Sequence, residues 1–355
     1  MQTIRVNLGP RSYDIGIGSD LESGFADFVR SRFGSKKFLV VADDHVRNLA
    51  ERLANRLPDA TVVQIPAGEN SKSLEQLNEL YGHLASLPAD RKTPIIAVGG
   101  GVVGDLAGFA AATYNRGIPL LMVPTSLLAM VDSSVGGKVG INLPQGKNLV
   151  GAFHQPAGVW IDIALLGTLP DREYRSGLAE VVKYGVILDE EFFRWIDDHA
   201  DAILTREPAA VVHLVTRSCE LKAQVVEQDE REETGQRVIL NYGHTFAHAF
   251  ESVGGYGTWL HGEAVAAGMI HASRLAEKRG LIPPELTHRQ ARLLERFGLP
   301  TACLSSWNVD GMLDVMRRDK KNAGGRMRFI LPTKIGKVST FDDIPEAQVR
   351  EVLAL

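Results

Sequence analysis

Short apolar runs rich in β-branched residues alternate with amphipathic stretches through the first half of the chain. KKFLVVAD (36–43), TVVQIP (61–66), TPIIAVGG (93–100) and PLLMVP (119–124) read as strands, and 45–57, 73–87 and 103–114 between them carry apolar positions at helical spacing. Continuous apolar strands separated by helices predict a doubly wound, mainly parallel sheet covered on both faces, an α/β, Rossmann-like plan. The opening MQTIRVNLGPRSYDIGIG alternates like a strand pair and lacks a basic stretch followed by an apolar core, so it is not read as a signal peptide. After GVWIDIALLGTLP (158–170) the strand signal fades, and 171–300 reads as helix after helix with apolar residues three and four apart. The expected organisation is an α/β domain over 1–170 and a mainly α-helical domain over 171–355.

Composition narrows the class. With 45% hydrophobic and 23% charged residues, the chain is ordinary for a globular protein, which argues against disorder. A net charge of −4 without a long basic run gives a nucleic-acid partner no electrostatic support. The most apolar stretch, 118–131, is interrupted by Pro119, Pro124, Thr125 and Ser126 and is too short to cross a membrane. Cys219 and Cys303 are the only cysteines, which suits a reducing cytoplasm and excludes a cysteine-rich zinc site.

Gly99, Gly101 and Gly104 satisfy G-x-G-x-x-G after a strand and at the start of a helix, where backbone N–H groups can approach a pyrophosphate. A tight strand-to-helix turn explains the same glycines. No acidic residue follows at the usual distance, so Asp43, ending an earlier strand, is the candidate for a ribose, with a helix cap as its alternative. Neither GGK (136–138) nor GKN (146–148) completes an ATP-binding P-loop. Between Arg116 and His154 runs a glycine-rich polar stretch holding Asp132, Ser133, Ser134, Lys138, Asn142, Lys147 and Asn148. It reads as a long functional loop, its lysines suited to phosphate or carboxylate, with a solvated surface loop as the alternative.

In RVILNYGHTFAHAFE, a continuous helix would put Arg237, Asn241, His244 and His248 within roughly 60° of arc. Such a polar stripe is costly to bury without ligands. Thr245 stands where a zinc-protease H-E-x-x-H has its glutamate. His261 opens the next helix, and upstream Glu180 and Lys183 share a helical face. One glutamate and two histidines leave a coordination position open, the catalytic zinc pattern. Glu263 competes as a ligand, although it suits the first turn of its own helix better. His154, His213 and His271 lack polar company and read as core or capping groups.

Taken together, GGGVVGDLAGFAAATY, RGIPLLMVPTSLLAMVDSSVGGKVGIN, GKNLVGAFHQP, SGLAEVVKYG, DERE, NYGHTFAHAFE and GYGTWLHGEAVAAGM resemble the signatures of the 3-dehydroquinate synthase family, in the same order from about residue 95 to 270. PAGENSK (66–72) and DKKNAGG (319–325) extend the likeness to nearly the whole chain. The resemblance implies an NAD-binding domain, a helical zinc domain in which cobalt can replace zinc, a cleft between them, and a homodimer acting on a sugar phosphate. It implies that Glu180, His244 and His261 hold zinc. It gives substrate contacts to Arg116, Asp132, Lys138, Asn148, Lys183, Lys222, Arg237, Asn241, His248 and a lysine of 319–321, Lys320 or Lys321. NAD would meet Gly101, Val102, Val103, Gly104 and Asp105, with Asp43, Glu69, Lys72, Thr125, Ser126, Lys138 and Lys147 around it. Thr125-Ser126 stands where the family usually has Thr-Thr, and the stretch from DERE to Arg237 is one residue longer than is common.

The implied reaction is conversion of 3-deoxy-D-arabino-heptulosonate 7-phosphate to 3-dehydroquinate and phosphate, with transient oxidation by NAD, phosphate elimination, re-reduction and aldol closure. Lys138, Asn148 and Arg237 are the candidate phosphate ligands and His248 the candidate proton relay. The rivals are another sugar-phosphate cyclase, a metal-dependent alcohol or glycerol dehydrogenase, and a catalytically silent binding protein.

Overall fold

The computed structural model describes residues 1–34, 37–255, 257–318 and 327–354, which form two compact units. The first comprises Met1–Leu169 and Val211–Arg231, the second Pro170–Ala210 and Glu232–Leu355. The helical half read from sequence therefore returns to the first unit over one segment.

In the first unit the strands are β1 (Gln2–Val6), β2 (Tyr13–Gly18), β3 (Phe38–Asp43), β4 (Ala60–Ile65), β5 (Ile95–Gly99), β6 (Leu120–Pro124), β7 (Lys138–Leu143), β8 (Gly146–Phe153) and β9 (Gly158–Asp162). Seven of them make one sheet in the order β1-β2-β9-β6-β5-β3-β4, parallel except for the β1–β2 hairpin. The helices of this unit are α1 (Phe25–Arg30), α2 (Arg47–Ala54), α3 (Leu74–Ser86) and α4 (Gly101–Thr113). Because neighbouring β-residues face opposite ways, Phe38, Val40 and Ala42 join Ile96, Val98, Leu121 and Val123 in a core with α1 and α2. Ser73 starts α3 by accepting the Gln76 N–H through its hydroxyl at 3.2 Å.

The polar stretch after β6 is not one loop, as the sequence had suggested. A π-helical turn over Ala129–Ser133 is followed by the β7–β8 hairpin, whose buried Val139 and Ile141 anchor it.

The second unit begins with α5 (Asp171–Leu188), α6 (Glu190–Asp198) and α7 (Ala200–Leu204). Helix α8 (Pro208–Gln228) belongs to the first unit from Val211 on, where Cys219 Sγ meets the Met130 carbonyl and Lys222 pairs with Asp132. Then come α9 (His244–Gly254), α10 (His261–Lys278), α11 (Pro284–Arg296), α12 (Val309–Arg318), the hairpin β10 (Phe329–Lys334) and β11 (Lys337–Phe341), and α13 (Glu346–Leu353). That hairpin lies beyond 171–300, the stretch read as helices, in a domain that is otherwise helical among the described residues. Among the described residues no helix is long and apolar enough to cross a membrane.

His271, on α10, is fully buried between Phe246 and Phe250, at ring-centroid distances of 5.7 and 5.0 Å. Its Nδ1 donates to the Ala267 carbonyl at 2.8 Å, and burial pulls its pKa down to about 4 from an ordinary 6.5. The unfolded chain takes up this proton near pH 6.5 and the folded protein only near 4, so the stability it contributes is complete above 6.5 and lost progressively as pH falls toward 4. The whole effect is about 3 kcal/mol. Urea unfolding of a His271→Leu variant should show a flatter dependence of stability on pH in that window, and a slope equal to that of the unsubstituted protein would refute the assignment.

Candidate functional site

The first unit gathers one polar cluster around the end of β3 and β5. Successive strands leave β3 in opposite directions here, β4 on one side and β5 on the other, so the strand ends form a topological switch point. Asp43 ends β3, half-buried, and its carboxylate accepts the His45 N–H at 3.0 Å, so it already serves the turn that leads to α2. Gly99, Gly100 and Gly101 lead from β5 into α4; a side chain on Gly99 would run into Val103, so that glycine is required by the turn itself. Gly101, Val102, Gly104 and Asp105 keep some exposure on the first turns of α4, while Val103 is buried beneath them. Thr125 donates its N–H to the Gly99 carbonyl at 3.0 Å, and the Ser126 hydroxyl accepts the Ala129 N–H at 3.3 Å.

Lys72, 5% exposed, ties this region together. Its ammonium donates to Asp105 at 2.8 Å and to the Asn148 side-chain carbonyl at 2.5 Å, with Glu69 at 3.5 Å. Burial opposes its charge, but Asp105 and Glu69 outweigh it and hold its pKa above the ordinary lysine value. Asn142, which carried no specific role in the sequence reading, bonds Glu69 and accepts the Asn148 N–H, both at 2.8 Å. Asn148 itself sits in a left-handed conformation with φ 55°. Buried Lys222 donates to both the carbonyl and the carboxylate of Asp132, at 2.5 and 2.6 Å. Arg116, Lys138 and Lys147 keep exposed surface on the same unit.

In the second unit, three helices bring Glu180, His244 and His261 together. Each offers a ligand atom, and these atoms lie within 4.8 Å of one another. Glu180 Oε1 is 3.6 Å from Nε2 of His244 and 3.6 Å from Nε2 of His261. Glu180 and Lys183, one turn apart on α5, are buried and ion-paired. His244 is fixed from behind: its Nδ1 contacts the Tyr242 carbonyl at 3.1 Å, and a carbonyl only accepts, so Nε2 is the nitrogen with the lone pair. Desolvation disfavours charge on His261, but Glu180 and Glu251 outweigh it and push its pKa up to about 10. A cation bound here must displace that proton.

The expected four-residue stripe does not form on one helix. Arg237–Asn241 is a 3-10 turn, and Gly243, with φ 80°, breaks the chain before α9 begins at His244. His244 and His248 still share α9, with their rings perpendicular and 5.8 Å apart, and His248 stands outside the ligand group. Arg237 is 1% exposed, with Glu232 at 4.0 Å. Asn241 is half-buried at the end of the 3-10 turn. Lys320 and Lys321 lie outside the described residues.

Glu263 is a cap rather than a ligand. It accepts the Leu260 N–H at 2.7 Å and pairs through both oxygens with Arg172, which also reaches the Thr258 carbonyl at 2.9 Å. Next to it, the Gly262 N–H donates to the Ser176 hydroxyl at 3.1 Å. Arg172, Ser176 and Glu251 are the site residues that the sequence reading missed. Only Glu251 left a signal, seven residues after His244 and therefore on the same helical face.

One carboxylate and two imidazoles are the donor set of a divalent cation such as Zn2+ or Co2+, with positions left for other oxygens. Models of the 3-dehydroquinate synthase N-terminal and C-terminal parts match residues 62–176 and 177–322. The chain belongs to the 3-dehydroquinate synthase family. Over its full length it is 49% identical to the 3-dehydroquinate synthase of Desulforamulus reducens, covering 100% of both chains. It is 46% identical to that of Rhodopirellula baltica, over 98% of this chain and 96% of the relative. The fold matches a crystal structure of 2-deoxy-scyllo-inosose synthase complexed with carbaglucose-6-phosphate, NAD+ and Co2+, with a TM-score of 0.89, 28% identity and 99% of each chain covered.

The packing of α10 on α5 sets where His261 stands. A Cβ on Gly262 would overlap the Ser176 carbonyl oxygen, which is backbone and cannot swing away. Gly262→Ala should therefore cost about 3 kcal/mol of stability and weaken Co2+ binding by parting His261 from Glu180. Thermal unfolding and a chelator competition check this; wild-type affinity in the variant would show that the contact does not govern the site.

Proposed function

We propose that the chain is a metal- and NAD-dependent 3-dehydroquinate synthase, which converts 3-deoxy-D-arabino-heptulosonate 7-phosphate to 3-dehydroquinate and phosphate. The observation that carries the reading is the Glu180, His244 and His261 cluster in a chain 49% identical to a relative of that name. The dinucleotide is supported by the glycine turn at the switch point and by the NAD+ bound in the related cyclase structure.

When bound, a divalent metal supplies Lewis acidity to substrate hydroxyls and NAD supplies a reversible hydride acceptor. Glu180, His244 and His261 would hold the metal, with Lys183 adding positive charge beside the carboxylate ligand. Asp43, Glu69, Lys72, Thr125, Ser126, Lys147 and the turn Gly101–Asp105 would line the dinucleotide, oriented by the Lys72 bonds to Asp105 and Asn148. Elimination needs the departing dianion held and neutralised, the task assigned to Lys138, Asn148 and Arg237. Arg116, Asp132, Lys222 and Asn241, with Lys320, would bind the rest of the substrate. His248 is assigned to proton relay, one helical turn from a metal ligand. A homodimer in the cytoplasm is the assembly and compartment that the family likeness implies.

A sister cyclase acting on a different sugar phosphate is the competing reading. The 2-deoxy-scyllo-inosose synthase match, at 28% identity, is far more distant than the 49% and 46% relatives.

The test is phosphate release from the heptulosonate phosphate while NADH absorbance is followed. Turnover should release phosphate with no net NADH, stop with a chelator, and return with Zn2+ or Co2+. Steady NADH accumulation would instead mark a dehydrogenase. Changes behind a metal ligand cost about 10–100-fold, so Glu180→Gln or His244→Ala, which remove a ligand, should cost more. Full turnover in either variant would end the metal assignment.

A further inference from the structure

The two imidazoles of the cluster are backed by different groups. Behind His244 stands the neutral Tyr242 carbonyl, at 3.1 Å from Nδ1. Behind His261 stands a carboxylate: Glu251 Oε1 lies 3.6 Å from Nδ1, on the opposite side of the ring from the Nε2 that faces Glu180. Glu251 is 8% exposed and lies on α9, on the face that also carries His244. One helix thus supplies a candidate ligand and the acid behind the other histidine ligand.

We propose that Glu251 is a positioning residue of the metal centre, holding the His261 ring with Nε2 toward the cation and making His261 the more electron-rich of the two imidazole ligands. The inference rests on the metal reading above. A carboxylate that accepts the Nδ1–H fixes the tautomer and raises the basicity of the far nitrogen, which a carbonyl does less strongly. The present spacing is that of an ion pair, and a ring shift of roughly 0.8 Å makes it a charge-assisted hydrogen bond. The charges agree. Glu180 directly and Glu251 through the ring oppose a dication, and Lys183 offsets one of these carboxylates. Placing the acid on α9 also couples the His261 ring to the helix that carries His244, so the two ligands move together.

The test uses the full chain loaded with Co2+, which reports its ligand field in the visible spectrum. Affinity is measured by chelator competition for the wild type, Glu251→Gln and Glu251→Ala. Gln keeps an acceptor without charge and should weaken Co2+ about tenfold; Ala removes both and should weaken it about a hundredfold. Both should shift the Co2+ absorption bands. Gln is nearly isosteric, so it carries the test if Ala does not fold. A Gln variant with wild-type affinity and spectrum overturns the proposal, as does one that loses metal-free thermal stability alone. Wild-type protein that takes up no Co2+ would overturn the metal reading and this inference with it, an outcome distinct from binding that Glu251 does not affect.

Discussion

A carboxylate with no exposed surface has to be compensated from within, and the arrangement around Glu180 follows from that. Leaving it ionised among α5, α9 and α10 would cost several kcal/mol, so the protein surrounds it with Lys183 on its own helix and with imidazoles from two others. The two-histidine helix of a zinc protease fixes its ligands by helical geometry alone. Here each ligand comes from a different helix, so the site is only as accurate as the packing of those helices. The close approach of Gly262 to Ser176 and the Arg172 clamp on Glu263 therefore belong to the chemistry as much as to the fold.

The first unit solves a similar problem with the opposite sign. Lys72 is a buried cation, and its bonds to Asp105 and Asn148 join a helix start to strand β8. Asn142 closes the ring by bonding Glu69 and Asn148. Each side chain is already restrained by a neighbour, so the dinucleotide proposed for this unit would meet preset donors and acceptors. Preorganisation of this kind lowers the entropic cost of binding more than additional contacts would.

The parallel sheet was legible because β3, β5 and β6 are buried on both faces and so read as unbroken apolar runs. The β10–β11 hairpin was not. Its strands are short and carry Pro332, Lys334 and Lys337, so their pattern is too weak to stand out against the helices on either side. The β7–β8 hairpin was hidden by its glycines, which favour a loop reading. At the candidate metal site, residue types and spacing offered Glu180, His244, His248 and His261, from which the family resemblance took His244 and His261, and they could not choose between His261 and Glu263. That choice depends on the tertiary contact with Arg172, which lies far from Glu263 in sequence. The stripe through Arg237 failed at Gly243, where a left-handed backbone ends any continuous helix. Glu251 went unnoticed because an acid on the α9 face that carries His244 gains its meaning only from His261 on the neighbouring helix.

The proposed chemistry asks more of the cations than simple hydride transfer does. When a metal and a dinucleotide together oxidise an alcohol, the metal can stabilise the alkoxide charge that develops. Expelling phosphate adds a dianion that must be held while a bond to it breaks. Arg237 at 1% exposure, Lys183 at 1% and Lys222 at 5% are all cations kept from water, each at considerable desolvation cost. Lys183 and Lys222 have carboxylates close by, at Glu180 and Asp132, and Arg237 has Glu232 at 4.0 Å. A guanidinium offers a planar, bidentate grip on a phosphate, which is the task the proposed reaction sets for Arg237.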